Sequence, residues 1–119
     1  MIQDKATSQT SYERFLHRVV DSKQVWGLQH PDGGWAICSS NQYEDTSVYV
    51  FWSDEAYARR VAIGDWGMYV PTQIDLASFI DNWLKGINND GHLVGLNWDV
   101  NLCGSELEAI EVAQALIRS

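Results

Sequence analysis

Long apolar runs and cysteines are both scarce in this sequence of 119 residues. No stretch approaches the roughly 18 consecutive apolar residues of a membrane-spanning helix, and the first ten residues are mostly polar, so we predict neither a membrane segment nor an export signal. The two cysteines, Cys38 and Cys103, lie far apart without a CxxC motif. This spacing argues against a structural disulfide and indicates reduced thiols in the cytoplasm.

Basic residues are also few: 8 Lys and Arg stand against 16 Asp and Glu, for a net charge of −8. Such a charge repels phosphates and disfavours nucleic acid as a partner. The whole excess lies after residue 40, because the first 40 residues hold four acids and four bases. This acidic field favours a basic partner or a cation, although acids that begin helices and keep the protein in solution would give the same composition.

Motifs for catalysis, metals and nucleotides are missing as well: there is no GxSxG, HExxH, EF-hand loop, P-loop or GxGxxG. His17, His30 and His92 are isolated, so we predict neither a metal site nor a cofactor. Cys38 lies in a predicted strand and is interpreted as a packed thiol, whereas Cys103 precedes a predicted helix whose amides would favour a thiolate. A small hydrolase or transferase that uses Cys103 or loop carboxylates therefore stays open as an alternative.

Apolar periodicity and turn chemistry predict the first half of the fold. Capping-box spacing at residues 10–13, followed by an apolar stripe, predicts a helix over about residues 11–22, with residues 1–10 flexible. Two strands, 25–30 and 35–38, flank a predicted turn at residues 31–34, and residues 48–52 suit a central strand covered on both faces. We expect these three strands to form a meander. Ser53 is the predicted cap of a helix that runs to about Ile63.

The second half alternates strands and helices. Residues 68–74 predict a strand that Pro71 confines to an edge, and Asp75 precedes an amphipathic helix that reaches Ile87. Residues 92–98 predict a strand parallel to residues 68–74, and a capping box at residues 105–108 opens a last helix. The expected fold is one α+β domain over residues 11–119, with a mixed, mostly antiparallel sheet of about five strands and about four helices.

Six tryptophans are many for a small domain, and some of their rings are expected to stay partly exposed. Trp66 differs from the others because it lies in a predicted loop, between Asp65 and Gly67. An acidic and aromatic rim in this region could bind a cationic or hydrogen-bonding group. The predicted binding residues are Trp52, Asp54, Glu55, Asp65, Trp66 and Tyr69.

An ordered set of short motifs also runs through the chain: Val25–Leu28, Gly33–Ala36, Trp52–Ala58, Trp66, Ile74–Leu76 with Phe79, and Val94–Gly95. In this combination the chain resembles an uncharacterised bacterial family, domain of unknown function twenty-seven fifty, over about residues 11–117. The resemblance implies a small, stand-alone cytoplasmic protein and carries over no catalytic residues. The chain is also distantly similar to small α+β immunity proteins, in which an acidic surface blocks a basic toxin.

The sequence thus favours an acidic binding module over an enzyme. Its expected partner is a protein or a small ligand, bound through the loops around residues 64–69 and the start of the second helix. An immunity-like inhibitor of a basic protein is one form of this hypothesis. A homodimer that hides aromatic surface at a two-fold interface is a further possibility.

Overall fold

Helices and strands alternate along the chain, as they appear in a computed structural model that describes residues 5–100 and 104–119. The helices are α1 (Lys5–Ser22), α2 (Glu55–Val61), α3 (Leu76–Ser78), α4 (Lys85–Asn89) and α5 (Ala109–Arg118), with a π-helical segment, Phe79–Leu84, joining α3 to α4, and a 3-10 turn at Gly64–Trp66. The strands are β1 (Gln24–Gln29), β2 (Ile37–Ser39), β3 (Ser47–Phe51), β4 (Val70–Asp75), β5 (Leu93–Leu96) and β6 (Leu107–Glu108). The described residues therefore form the predicted α+β domain.

The strands of this part of the chain form two mostly antiparallel sheets. One pairs β1 with β4, and the other has the order β2-β3-β5-β6, in which only β3 and β5 are parallel. Isolated bridges at Trp26–Trp52 and Gln29–Trp35 connect the two sheets. None of the described helices is long and apolar enough to cross a membrane.

Two clusters of buried side chains cover opposite faces of β3. Phe51 belongs to the cluster formed with α1, the α3–α4 helix and α5, whereas Val48, Val50 and Trp52 belong to the cluster formed with α2 and the 3-10 turn. Side chains that alternate along a strand point to opposite faces of its sheet. The prediction of a central strand covered on both sides is therefore confirmed.

The predicted meander of the first three strands is wrong for β1. The turn itself forms, since His30 N–H donates to the Gly34 carbonyl at 2.7 Å and Ala36 N–H donates to the Leu28 carbonyl at 2.9 Å. After Ala36, however, the chain leaves β1 and pairs with β3, while β1 pairs over its whole length with β4. Turn residues determine a local reversal of the chain. They do not determine which strand pairs with β1 along its full length.

The predicted parallel pair is also different. The strand containing Pro71 is an edge strand, as expected, but it runs antiparallel to β1, and the parallel partner of β5 is β3. The crossover that makes two strands parallel therefore extends from Phe51 to Leu93 and includes α2, β4 and the α3–α4 helix. A crossover connection needs only enough residues to bring the chain back beside the first strand in the same orientation. Its length therefore did not show whether β3 or β4 is the parallel partner of β5.

The helix starts separate into one confirmed cap and three that are wrong. Asp75 caps α3, because its carboxylate accepts from Ser78 N–H at 3.1 Å. Residues 10–13 lie inside α1, which begins at Lys5, and residues 107–108 form β6 before α5 begins. Ser53 does not cap α2; its hydroxyl donates to Asp54 Oδ1 at 2.6 Å, and Asp54 is the N-cap residue without a side-chain cap bond.

Candidate functional site

The two tryptophans of the predicted binding rim lie inside the protein. Trp52 is fully buried, and its indole N–H donates to the Trp98 carbonyl at 2.9 Å. Trp66 is only 9% exposed, and its ring contacts Trp52 edge to face, with ring centroids 6.3 Å apart. The expectation of an exposed loop tryptophan is therefore wrong, because the 3-10 turn at Gly64–Trp66 directs this ring into the cluster beneath α2.

Two of the predicted acids are held by arginines. The Arg18 guanidinium donates to both carboxylate oxygens of Asp54, at 2.6 and 2.5 Å, and Arg59 pairs with Glu55 one helical turn away. The hydrogen bond from Arg18 is the main reason why the pKa of Asp54 lies below its ordinary value. Asp54 therefore forms an ion pair with α1, and Glu55 forms one with the next turn of α2. These two carboxylates do not form a free acidic rim.

Glu55, Asp65 and Tyr69 are the predicted residues that remain accessible, although Glu55 is paired with Arg59. Asp65 is exposed, and Tyr69 is half-buried with its ring against those of Trp66 and His30. Met68, between them, is 68% exposed. The structure thus brings the six predicted residues into one region, but it buries the two tryptophans and pairs Asp54 and Glu55 with arginines.

A different set of polar residues meets where β3 and β5 end. The carboxyl ends of parallel strands lie at the same edge of a sheet, which is where open α/β sheets commonly bind ligands. Ser53 follows β3 and Asn97 follows β5, and the Asn97 side chain accepts from Ser53 N–H at 2.9 Å and donates to Ser53 Oγ at 3.1 Å. Because Ser53 Oγ also donates to Asp54, a hydrogen-bonded chain runs from Asn97 through Ser53 and Asp54 to Arg18.

Asn97 has a backbone conformation that favours this arrangement. Its φ of 55° lies in the left-handed region, which asparagine tolerates better than most residues. The reversal turns the chain away from β5 immediately after Leu96, so that the side chain faces the end of β3. Ser53 is itself buried, and its two hydrogen-bonding partners fix its orientation.

A cleft of about 350 Å³ opens beside this hydrogen-bonded chain. Residues from α1, from α2 and from the end of β5 line it: Ser11, Arg14, Tyr57, Arg60, Val61, Asn97, Trp98, Asp99 and Val100. Its volume lies at the lower end of the range for small-molecule pockets, about 300–1,000 Å³. The cleft combines an apolar wall with two cations and one carboxylate.

The chain matches a known family over most of its length. The model of a family described as protein of unknown function, DUF2750, matches residues 12–116. The chain belongs to the DUF2750 family. No curated protein and no solved structure matches it. The resemblance drawn from the short motifs is therefore confirmed.

Trp98 forms part of the cleft wall of this DUF2750 protein, and two glycines make room for its ring. A Cβ at Gly95 would lie 2.5 Å from Trp98 Cε2, and one at Gly104 would lie 2.3 Å from Trp98 Cδ1. The indole N–H donates to the Ser105 carbonyl at 3.2 Å. The ring is thus fixed between β5 and the segment that leads into β6.

Cys38, another candidate from the sequence, does not line the cleft of the DUF2750 protein. Cys38 is half-buried in β2, and burial, followed by the charge of Glu106, raises the pKa of its thiol. Cys103 lies outside the described residues. Among the described residues, no three His, Cys, Asp or Glu side chains are grouped so that they could hold a metal ion.

Sequence reasoning missed the residues that line the cleft. Arg14 counts among the four bases of the balanced first 40 residues, Tyr57 lies in the predicted second helix, and Asn97 lies in the predicted strand 92–98, and none of these patterns marks a site. The available signal was the polar residue that directly follows each apolar parallel strand, Ser53 after Trp52 and Asn97 after Leu96. That signal becomes useful only when β3 and β5 are known to be parallel neighbours.

Proposed function

We propose that this protein is a binding module whose ligand is a small molecule held in the cleft at the carboxyl ends of β3 and β5. The observation that carries the proposal is the cleft itself, whose volume of about 350 Å³ suits a small molecule and whose lining converges from three separate elements. Its apolar wall would cover the body of a ligand, and its few charged groups would orient it.

The rigidity of one side of the cleft supports this proposal. Asn97 is tied to Ser53 by two hydrogen bonds, and the Arg18–Asp54 pair continues the same chain into α1. Trp98 is fixed by Gly95 and by its bond to the Ser105 carbonyl. A preformed site loses less conformational entropy on binding than a flexible one, so such a frame favours affinity.

A screen of small fragments followed by ¹H–¹⁵N NMR would test this proposal. We expect at least one fragment to shift the amide signals of Asn97 and Tyr57 in the wild type. Val100→Trp should weaken that binding, because Val100 lines the cleft and is half-exposed, so a larger ring there fills space without entering the core. Val70→Trp is the matched control, since Val70 is similarly exposed but belongs to β4.

The screen has two outcomes that would overturn the proposal. One is a fragment set, containing neutral, anionic and cationic members, that shifts none of the cleft signals. The other is a set of shifts that persists unchanged in Val100→Trp. Either result would show that the cleft does not hold a ligand.

Protein docking around residues 63–70 is a second proposal, which a separate observation favours. The large apolar side chains of Ile63, Met68 and Val70 are all more than half exposed, and Asp65 lies among them. A cytoplasmic partner with an apolar centre and a basic edge, such as a toxin held by an immunity-like inhibitor, would fit this surface and the net charge of −8.

A binding assay against basic bacterial proteins would test the docking proposal. Met68→Asp should abolish capture by removing the apolar centre, and Asp65→Asn should weaken it and reduce its dependence on salt. Ile110→Asp, at a half-exposed position on α5, is the control and should leave capture unchanged. Equal capture by the wild type and Met68→Asp would contradict the proposal.

A further inference from the structure

The two arginines of the cleft stand out in a chain with a net charge of −8. Their neighbours Arg18 and Arg59 are each paired with a carboxylate, Asp54 and Glu55 respectively. Within the described part of the chain, neither Arg14 nor Arg60 forms an ion pair. Two arginines that form no ion pair with another described residue therefore line one small cleft.

Arg60 has a defined position in this cleft. Its guanidinium carbon lies 5.2 Å from the centre of the Tyr57 ring, on the same helix. A cation over an aromatic face is held in place while its charge and its hydrogen-bond donors stay available. Arg59, the next residue along the helix, pairs with Glu55 instead and does not line the cleft.

The charge of the described lining residues favours a ligand with one negative group. Arg14 and Arg60 contribute two positive charges and Asp99 contributes one negative charge, so the lining carries a net charge of +1. A ligand with a single negative charge would balance this lining. A phosphate carries more than one negative charge at neutral pH, and Asp99 together with the acidic remainder of the chain would repel the excess.

The uncharged part of the lining indicates the rest of the ligand. Tyr57, Val61, Trp98 and Val100 supply aromatic and aliphatic surface beside the two arginines. Planar carboxylates match the paired donors of a guanidinium, and an apolar body would cover the wall. We infer that the cleft binds a small monocarboxylate with an apolar or aromatic body, whose carboxylate lies between Arg14 and Arg60. This inference rests on the proposed function of the cleft and adds the chemical class of its ligand.

Four probes would test this inference by NMR titration: phenylacetate, its neutral analogue phenylacetamide, the cation phenethylammonium and inorganic phosphate. Hydrogen bonds to charged groups contribute about 1.5–3 kcal/mol, so we expect phenylacetate to bind at least about tenfold more tightly than phenylacetamide. Phenethylammonium and phosphate should bind more weakly than phenylacetate. The shifted signals should belong to residues that line the cleft.

Arginine variants identify the groups responsible. Arg14→Gln and Arg60→Gln should each lower the affinity for phenylacetate about fivefold or more while leaving that for phenylacetamide unchanged. Arg59→Gln removes the same charge from the neighbouring position and should leave both affinities unchanged. Arg60→Lys keeps the positive charge but loses the paired donors of the planar guanidinium. It should therefore give an intermediate affinity for phenylacetate. Well-dispersed spectra of each variant would establish that it is folded.

The outcomes separate this inference from the function on which it rests. If phenylacetamide binds in the cleft as tightly as phenylacetate, or if phosphate binds more tightly, the monocarboxylate inference fails and the cleft remains a binding site. The same holds if Arg59→Gln weakens phenylacetate as much as Arg60→Gln does, because long-range charge would then explain the effect. If no probe and no fragment of any class shifts the cleft signals, the proposed function fails as well.

Discussion

Single glycines determine how closely β5 and Trp98 approach. Gly95 lies in the middle of β5, where all four residues are buried, and its missing side chain is replaced by the edge of the Trp98 indole. A β-carbon cannot occupy the same space without moving either the strand or the ring. The stability of this region therefore depends on the absence of a methyl group.

Replacing Gly95 with alanine should lower the free energy of unfolding by about 1–3 kcal/mol, because a Cβ there would lie 2.5 Å from Trp98 Cε2. Gly86→Ala is the opposite case: Gly86 lies in α4 with open space around it, so alanine should raise the free energy of unfolding by about 0.5–1 kcal/mol. Urea denaturation of both variants would measure the difference. Equal effects at the two positions would contradict the described packing.

The Arg18–Asp54 pair should make stability depend on pH at the acidic end. Because Arg18 depresses the pKa of Asp54 in the folded protein, this contribution is fully present above the ordinary aspartate value of 3.8 and is lost as the pH falls through the lower, folded value. Arg18→Gln should therefore be less stable than the wild type at pH 7, and the difference should shrink below about pH 4.

Denaturant unfolding at pH 7, 4 and 2.5 would measure this change. Arg59→Gln removes one positive charge from an exposed pair and serves as the control for a general effect of charge. A stability difference between Arg18→Gln and the wild type that stays constant from pH 7 to pH 2.5 would show that the pair does not act through the protonation of Asp54.

At the scale of elements, the helix that follows β4 begins with a side-chain cap. The Asp75 carboxylate accepts from Ser78 N–H, and α3, the π-helical segment and α4 continue without a break to Asn89. Asp75→Ala should lower the free energy of unfolding by about 1 kcal/mol. Asp90→Ala, at the other end of the same helix, should have no effect or a small stabilising one, since it removes a negative charge from the negative end of the helix dipole.

Thermal unfolding of the two variants would compare the helix ends directly. A melting temperature that falls equally in Asp75→Ala and Asp90→Ala would indicate a general effect of charge. A fall confined to Asp75→Ala would identify the cap as the cause.

Elements governed by local chemistry were predictable, and those governed by distant partners were not. Asp75 and Pro71 predicted a helix start and an edge strand correctly, because a cap and a missing donor act on neighbouring atoms. The capping box at residues 105–108 failed because Leu107 and Glu108 pair as a strand with β5, which is far away in the sequence. The same limit explains why the turn after His30 was found while the partner of β1 was not.

At the scale of the whole molecule, Trp52 connects three parts of the fold. Its backbone exchanges two hydrogen bonds with Trp26 of β1, at 2.7 and 2.8 Å, and its indole N–H binds the Trp98 carbonyl after β5. Trp52 therefore links the two sheets and also holds together the ends of the two parallel strands. Trp52 is fully buried, although the sequence placed it in a binding surface.

Trp52→Phe should keep most of the buried ring but remove the donor to the Trp98 carbonyl. A buried acceptor left unpaired costs about 1–3 kcal/mol, and the smaller ring adds a packing loss. Amide hydrogen exchange should accelerate both in β1 and after β5, because Trp52 contacts both. An increase confined to one of these sites, with unchanged global stability, would contradict the linking role.

The cleft at the ends of β3 and β5 also depends on the whole fold, and for that reason the sequence did not reveal it. Arg14, Tyr57 and Asn97 come from three distant segments, which meet because β3 and β5 are parallel and α1 crosses their ends. The burial of Trp66 was equally hidden, because glycines beside a tryptophan suggest a loop but do not show where its ring lies. Apolar periodicity and turn chemistry indicated the class of fold, and the topology was needed to locate the cleft.

The close fit of Trp98 against Gly95 and Gly104 restricts the order in which these three positions can be substituted during evolution. An alanine at Gly95 is harmful while the large ring is present but should be tolerated after Trp98 has become leucine, so the two substitutions are expected to be strongly non-additive. Lineages that lose the ring first can then accept side chains at either glycine, whereas the reverse path passes through an unstable intermediate. Drift at these three positions should therefore be concerted.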